Sequence, residues 1–275
     1  MAAYLFAVSD LHCSHEGNWQ IIESLRPESD DDWLIVAGDV GRTFNEIEKV
    51  LRLLKQRYAT VIWTPGNHEL WTTENDPVQL RGAARYQALV RMCRDNYVLT
   101  PEDEYAVWPG LGGPVIIVPL FPLYDHSWLA PGATTKEESW ECARRAGVVC
   151  ADEVMLHSDP YPDRESWCEA RVQESERRLL ALGSKVKTVL VSHWPLVRQV
   201  TDALRFPEFA RWCGTTRTAN WHTRFNAEVV VYGHLHIPRT SYYDGVRFEE
   251  VSLGYPREWI KRNKPPGVPK KVLSA

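Results

Sequence analysis

The segment VVVYGHLH, residues 229 to 236, sets an apolar run against a glycine and two histidines spaced one residue apart. The run reads as a buried strand and the glycine as the turn that ends it. Alternate residues of an extended chain point the same way, so His234 and His236 converge on one object while Leu235 turns toward the interior. Two imidazoles aimed together call for partners from elsewhere in the chain.

Similar runs recur upstream: YLFAVSD at 4–10, WLIVAGD at 33–39, TVIWTPGNH at 60–68, VIIVPL at 115–120 and TVLVSH at 188–193. Between the first three lie helical patterns at about 19–25 and 46–56, the second with Ile47, Val50, Leu51 and Leu54 recurring at threes and fours. The alternation predicts an α/β fold. TSYYDGVRFEEVSLGY alternates about Asp244 and Gly245 and predicts an antiparallel hairpin. The sum is a mixed α/β and α+β pattern, a mixed sheet or a two-sheet sandwich flanked by helices. Residues 124–164 and 194–227 form the longest irregular stretches and read as inserted flaps over one domain, 1–256, with a charged helix at about 165–182. Residues 257–275 carry six Lys or Arg against the single acid Glu258, with three prolines, and read as a solvated, poorly ordered tail.

A chain of 275 residues buries roughly three quarters of its extended surface, so its stability needs no metal or disulfide. Hydrophobic content of 44% and charged content of 25% exclude disordered and fibrous classes. The net charge of −4 gives no support to a phosphate-backbone partner, so nucleic acid is not expected. Six cysteines without a CxxC pair predict free thiols in a reducing compartment. The amino terminus lacks a signal-peptide pattern and no stretch approaches a membrane span. A cytoplasmic protein without a membrane partner is the expectation.

Strand ends are where α/β folds build sites. In order they bear Asp10 and His12, Asp39, Asn67 and His68, His193, and His234 and His236. Any one of them reads equally as a cap or a turn residue. Jointly that account fails, because five of the nine histidines would have to reach strand ends by chance. Oxygen and nitrogen donors without thiolate suit a divalent transition metal, Mn, Fe, Zn, Ni or Co. A single catalytic ion usually takes three protein ligands, so eight candidates point to two ions sharing a bridge, with Asp39 central in the set.

The ordered series DLH (10–12), GDV (38–40), GNHE (66–69), SH (192–193) and GHLH (233–236) resembles the calcineurin-like metallophosphoesterase family. The resemblance implies a β-sandwich of two mixed sheets flanked by helices, and two divalent ions, Mn in first place. It implies one ion held by Asp10, His12 and His236, a second by Asn67, His193 and His234, and Asp39 bridging both. His68 would face the substrate as the catalytic histidine, with a metal-bound hydroxide as nucleophile.

The expected function is hydrolysis of a phosphomonoester or phosphodiester of a small molecule or nucleotide. A nuclease and a non-catalytic scaffold are the alternatives; the acidic charge speaks against the first and the intact ligand positions against the second. One departure stands out: where family phosphatases carry an acid that pairs with the catalytic histidine, this chain has Arg42. A proton-donor role for His68 then requires another acid, such as Glu69 or Asp125, and Arg42, Asp125 and His126 are candidate substrate contacts.

Overall fold

The computed structural model describes residues 3–110, 112–183, 185–262 and 267–275. Among these residues ten strands run in chain order: β1 Tyr4–Val8, β2 Trp33–Val36, β3 Thr60–Trp63, β4 Val107–Trp108, β5 Val115–Pro119, β6 Thr188–Val191, β7 Ala227–Tyr232, β8 Arg239–Tyr243, β9 Val246–Glu250 and β10 Lys270–Ser274. They form two sheets, β10-β1-β2-β3 and β4-β5-β6-β7-β9-β8. The strands β1, β2 and β3 are mutually parallel, as are β5, β6 and β7.

The strands read as unbroken apolar runs because both of their faces are covered. Leu5, Ala7, Ile35, Ile62, Ile117, Val189 and Val229 pack between the sheets. Their neighbours Phe6, Val8, Leu34, Val36, Val61, Val118, Leu190 and Val230 turn the other way, into the layer beneath the helices. The result is a two-sheet sandwich flanked by helices. The helix at Phe44–Lys55 begins in a capping box in which Thr43 accepts from Glu46 N–H and Glu46 reaches back to the Thr43 N–H. That box fixes where the chain turns after Asp39.

The hairpin of β8 and β9 turns at Asp244 and Gly245 as its alternation predicts. In addition, β9 lies parallel to β7, which places the hairpin at the edge of the larger sheet. The two long stretches are less irregular than expected: helices at Lys136–Arg145 and Asp152–Met155 occupy the first, and three 3-10 turns with a short helix at Trp221–Arg224 the second. They pack on each other, Trp140 against Trp212 at 6.0 Å with the Arg211 guanidinium over both rings.

The tail is a correction. Residues 256–261 form a helix, and β10 pairs antiparallel with β1, Tyr4 opposite Ser274 and Leu5 opposite Leu273, while Val272 enters the core between the sheets. Lys270 and Lys271 gave the segment its solvated look, yet lysines on an edge strand are a common protection against further pairing. No helix among the described residues is long and apolar enough to cross a membrane.

Candidate metal centre

The parallel strands deliver their first loop residues to one end of the sandwich. Asp10 and His12 follow β1, Asp39 follows β2, Asn67 and His68 follow β3, His193 follows β6, and His234 and His236 follow β7. Donor atoms of Asp10, His12 and His236 lie within 4.8 Å of one another, as do those of His12, Asp39 and His68, and those of Asp10, Asp39 and His193. His193 Nε2 sits 3.1 Å from Asn67 Oδ1 and 3.1 Å from His234 Nδ1, which joins the remaining two residues to the cluster.

The loops are strained to do this. Asp10, His12, Asp39, His234 and His236 all adopt left-handed φ, between 40° and 71°. Such conformations cost energy in non-glycine residues and concentrate at functional sites. The glycines of the motifs answer a different need, close approach. A Cβ on Gly66 would fall 2.1 Å from Asp39 Oδ1, and one on Gly233 would fall 2.3 Å from Asp10 Oδ2.

Hydrogen bonds around the cluster fix which nitrogen faces inward. His193 Nδ1 lies 2.9 Å from the Ala37 carbonyl oxygen, which can only accept, so the proton sits on Nδ1 and the Nε2 lone pair points into the cluster. His236 Nδ1 meets the Glu258 carboxylate at 2.8 Å and turns its own Nε2 toward His12 Nε2, 3.1 Å away. Asp10 Oδ2 accepts from the His234 N–H and the Ser252 hydroxyl, and Oδ1 faces His236. Asn67 donates its amide N–H to buried Asp152, which also takes the Trp71 indole N–H and the Tyr124 hydroxyl, so the Asn67 oxygen is left facing His193.

Ring nitrogens of His12 and His236, and of His193 and His234, face each other at 3.1 Å, and a shared cation would satisfy each pair at once. The donor set of imidazoles, carboxylates and an amide oxygen therefore fits divalent transition metals. His234 Nε2 and His68 Nδ1 are buried without a hydrogen-bond partner.

Electrostatics agree. Burial, then the neighbouring imidazoles, holds His12 and His234 well below the usual histidine range, and burial with nearby His12 and Arg42 does so for His68. These are neutral rings, the form that ligates. His236 is the exception: burial pulls it down, but Asp10 and Glu258 outweigh it and raise the group to about 10, so a cation bound at its Nε2 would have to displace a proton. Burial and repulsion from Glu69 and Asp10 push Asp39 well above the usual carboxylate range, a conflict that cations relieve.

The remaining candidates divide. His68 stacks on Trp71, ring centroids 3.8 Å apart, with Nε2 3.7 Å from Asp39 Oδ2. Neither expected acid supports it. The Glu69 carboxylate accepts the backbone N–H groups of Asp39, Val40 and Gly66, and Asp125 accepts from Ser127 N–H and the Thr215 hydroxyl. Both carboxylates are consumed by loop geometry. Arg42 is exposed beside the cluster, its guanidinium 5.6 Å from the Trp71 ring, and lines a cavity with His15, Tyr255 and Arg257. His126 faces another cavity, 2.9 Å from Glu165 and 3.6 Å from Glu153.

Residues 4–238 match the family model described as calcineurin-like phosphoesterase. A curated relative, the acyl-carrier-protein phosphodiesterase PptH of Mycobacterium tuberculosis, is 58% identical over 261 residues, covering 95% of this chain and 80% of its own length. A crystal structure of the phosphopantetheinyl hydrolase PptH from the same organism superposes with a TM-score of 0.96 at 56% identity, covering 99% of this chain and 96% of that one.

Proposed function

The chain belongs to the calcineurin-like phosphoesterase family and is a metal-dependent phosphoric ester hydrolase; from that premise we propose that it cleaves the phosphodiester joining a phosphopantetheinyl group to a carrier protein. The observation that carries the reading is the coverage of nearly this whole chain by a relative named for that activity. The expected small phosphorylated substrate then becomes a small arm on a protein. Six free cysteines favour a reducing compartment, in keeping with a cytoplasmic site of action.

Asp10, His12 and His236 are assigned to one ion and Asn67, His193 and His234 to the other, with Asp39 between them; manganese is the first candidate. When bound, the ions supply Lewis acidity, lowering the proton affinity of water and drawing charge from the phosphoryl oxygens. Hydrolysis joins the water oxygen to phosphorus, breaks the bond from phosphorus to the carrier-protein oxygen and returns a proton to that oxygen.

The chain's own part is orientation. Asp10 is locked by Ser252 and the His234 N–H. His68, kept neutral by burial and lacking an acid partner, still has one N–H to donate and is assigned to orient the phosphate rather than to work as a charged proton donor. Arg42 adds a guanidinium able to meet phosphate oxygens.

The test uses wild type, Asp39→Asn and His234→Ala on bis(p-nitrophenyl) phosphate and on a phosphopantetheinylated acyl carrier protein, with loss of the arm read by intact-protein mass spectrometry. Both variants are expected to lose both activities while unfolding cooperatively. Near-normal turnover by either refutes the site; a wild type that hydrolyses the small diester and leaves the carrier protein intact refutes the substrate.

A further inference from the structure

Two cavities of contrasting chemistry lie beside the cluster, one lined in part by His236 and the other by Tyr255, whose ring packs on His12 and His236. The first, about 530 Å³, has His236 and Glu258 at one end and runs between the two inserted segments past Val148, Val149, Leu204, Phe206, Phe209 and Ile237. The second, about 440 Å³, is cationic and is lined by His15, Arg42, Tyr255 and Arg257. The rings of His236 and Tyr255 lie 4.9 Å apart. Tyr255 also stacks on His12, at 4.4 Å.

A diester carries two different substituents on one phosphorus. Resting on the substrate assigned above, we propose that the apolar trough between residues 146–149 and 204–209 is the subsite for the pantetheinyl arm, leaving the cationic flank to the carrier protein. The arm is a slender chain of a gem-dimethyl carbon, a secondary hydroxyl, two amides and a thiol, uncharged beyond its phosphate. A largely apolar channel that starts at the reacting phosphorus suits it.

The trough meets both requirements. Its volume is that of a small-ligand pocket. Phe209, in its wall, lies face to face with His234, ring centroids 5.9 Å apart, so the wall continues directly into the cluster. Farther out, Phe206 is 50% and Val149 83% exposed, apolar surface on opposite walls that an incoming aliphatic chain would remove from water. The Arg205 guanidinium lies 5.3 Å from the Phe206 ring and braces it. The cavity beneath the cap is a poorer candidate, since His126, Glu153 and Glu165 pair there among themselves and no residue of the cluster lines it.

Phe206→Ala and Val149→Asp alter exposed side chains and leave the core intact. The readout is the ratio of kcat/KM on phosphopantetheinylated carrier protein to that on bis(p-nitrophenyl) phosphate, which has no arm. The ratio is expected to fall about tenfold or more in each variant, carried by KM. An unchanged ratio in both, with the wild type active on carrier protein, overturns the trough assignment alone. A wild type without carrier-protein activity overturns the substrate reading, and this inference with it.

Discussion

Glu258 holds the inner ring of His236 in place: its carboxylate lies 2.8 Å from His236 Nδ1 and accepts the Tyr255 N–H at 2.9 Å. A carboxylate behind a ligating imidazole fixes both the tautomer and the ring plane. Glu258→Ala should therefore weaken metal affinity about 10- to 100-fold, with Glu258→Gln recovering part of it by keeping an acceptor. Titration with Mn²⁺ checks this, and turnover by Glu258→Ala should recover at saturating metal. Equal Mn²⁺ affinity in all three proteins would show the contact to be ornamental.

Glu258 was also the residue least visible from sequence. It sits in a stretch whose lysines, arginines and prolines read as solvated tail, and only the fold shows that Tyr255 and the helix at 256–261 close over the cluster. Asp152 was hidden for a related reason, being an acid in an acid-rich insertion that proves buried beneath Asn67, Trp71 and Tyr124. The strands and their end residues were legible because burial on both faces writes continuous apolar runs, and several of the runs stop at a glycine or polar turn. What period and composition do not encode is which distant side chain lies behind a ligand. The missing partner of His68 has the same origin: Glu69 is next to it in sequence, yet its carboxylate turns back to three backbone amides.

Metal removal should cost stability as well as activity. Asp10 and Asp39 are buried together, and burial with the charges of Glu69 and Asp10 already pushes the Asp39 carboxyl upward. An ion present at 100 times its Kd stabilises the fold by about 2.7 kcal/mol. For a chain of this size the chelated protein should melt roughly 5–10 °C lower, with Mn²⁺ restoring both the Tm and hydrolysis. Scanning fluorimetry with and without EDTA measures it; a Tm indifferent to chelation would argue against a metal centre.

The cap has a pH signature separate from the metal cluster. Burial pulls His126 down, but the Glu153 carboxylate 3.6 Å away and the hydrogen-bonded Glu165 prevail and raise it above its ordinary value. Glu153 is lowered to about 2 against the cost of its burial, by His126, Trp212 and Arg164; Glu165 is lowered to about 2, chiefly by His126. Lys136 and Arg211 also line this cavity. A raised imidazole stabilises fully below its unfolded value of about 6.5 and loses that contribution as pH rises through its folded value. The lowered carboxylates stabilise above their unfolded value of about 4.3 and lose it as pH falls toward 2. His126→Asn keeps a residue that tolerates the φ of 59° and removes the charge. Its Tm deficit should be largest between about pH 4.5 and 6.5 and should shrink above that window. A deficit constant from pH 5 to 9 would mean that the imidazole acts there by shape alone.

Gly233→Ala tests whether backbone proximity, rather than ligand chemistry alone, holds the centre together. The glycine is not in the left-handed region, so conformational freedom is not what it provides. Its missing Cβ leaves room for Ser9 Oγ, which would lie 2.0 Å from an added methyl, and for Asp10 Oδ2 at 2.3 Å. Neither atom can retreat freely: Ser9 Oγ donates to the Ala37 carbonyl at 2.6 Å, and Asp10 Oδ2 accepts from the His234 N–H and the Ser252 hydroxyl. The methyl must therefore push the β7 loop away from β1, moving His234 and His236 relative to Asp10. Overpacking of this kind costs about 1–3 kcal/mol, which lowers Tm by several degrees in a chain of this size. Because the displaced atoms belong to the cluster, metal affinity and kcat should fall by more than that stability loss implies, and added Mn²⁺ should restore little of the rate. A variant that binds Mn²⁺ and turns over like wild type would show that the two loops need no close approach, and the rigid spacing inferred for Asp10, His234 and His236 would fall.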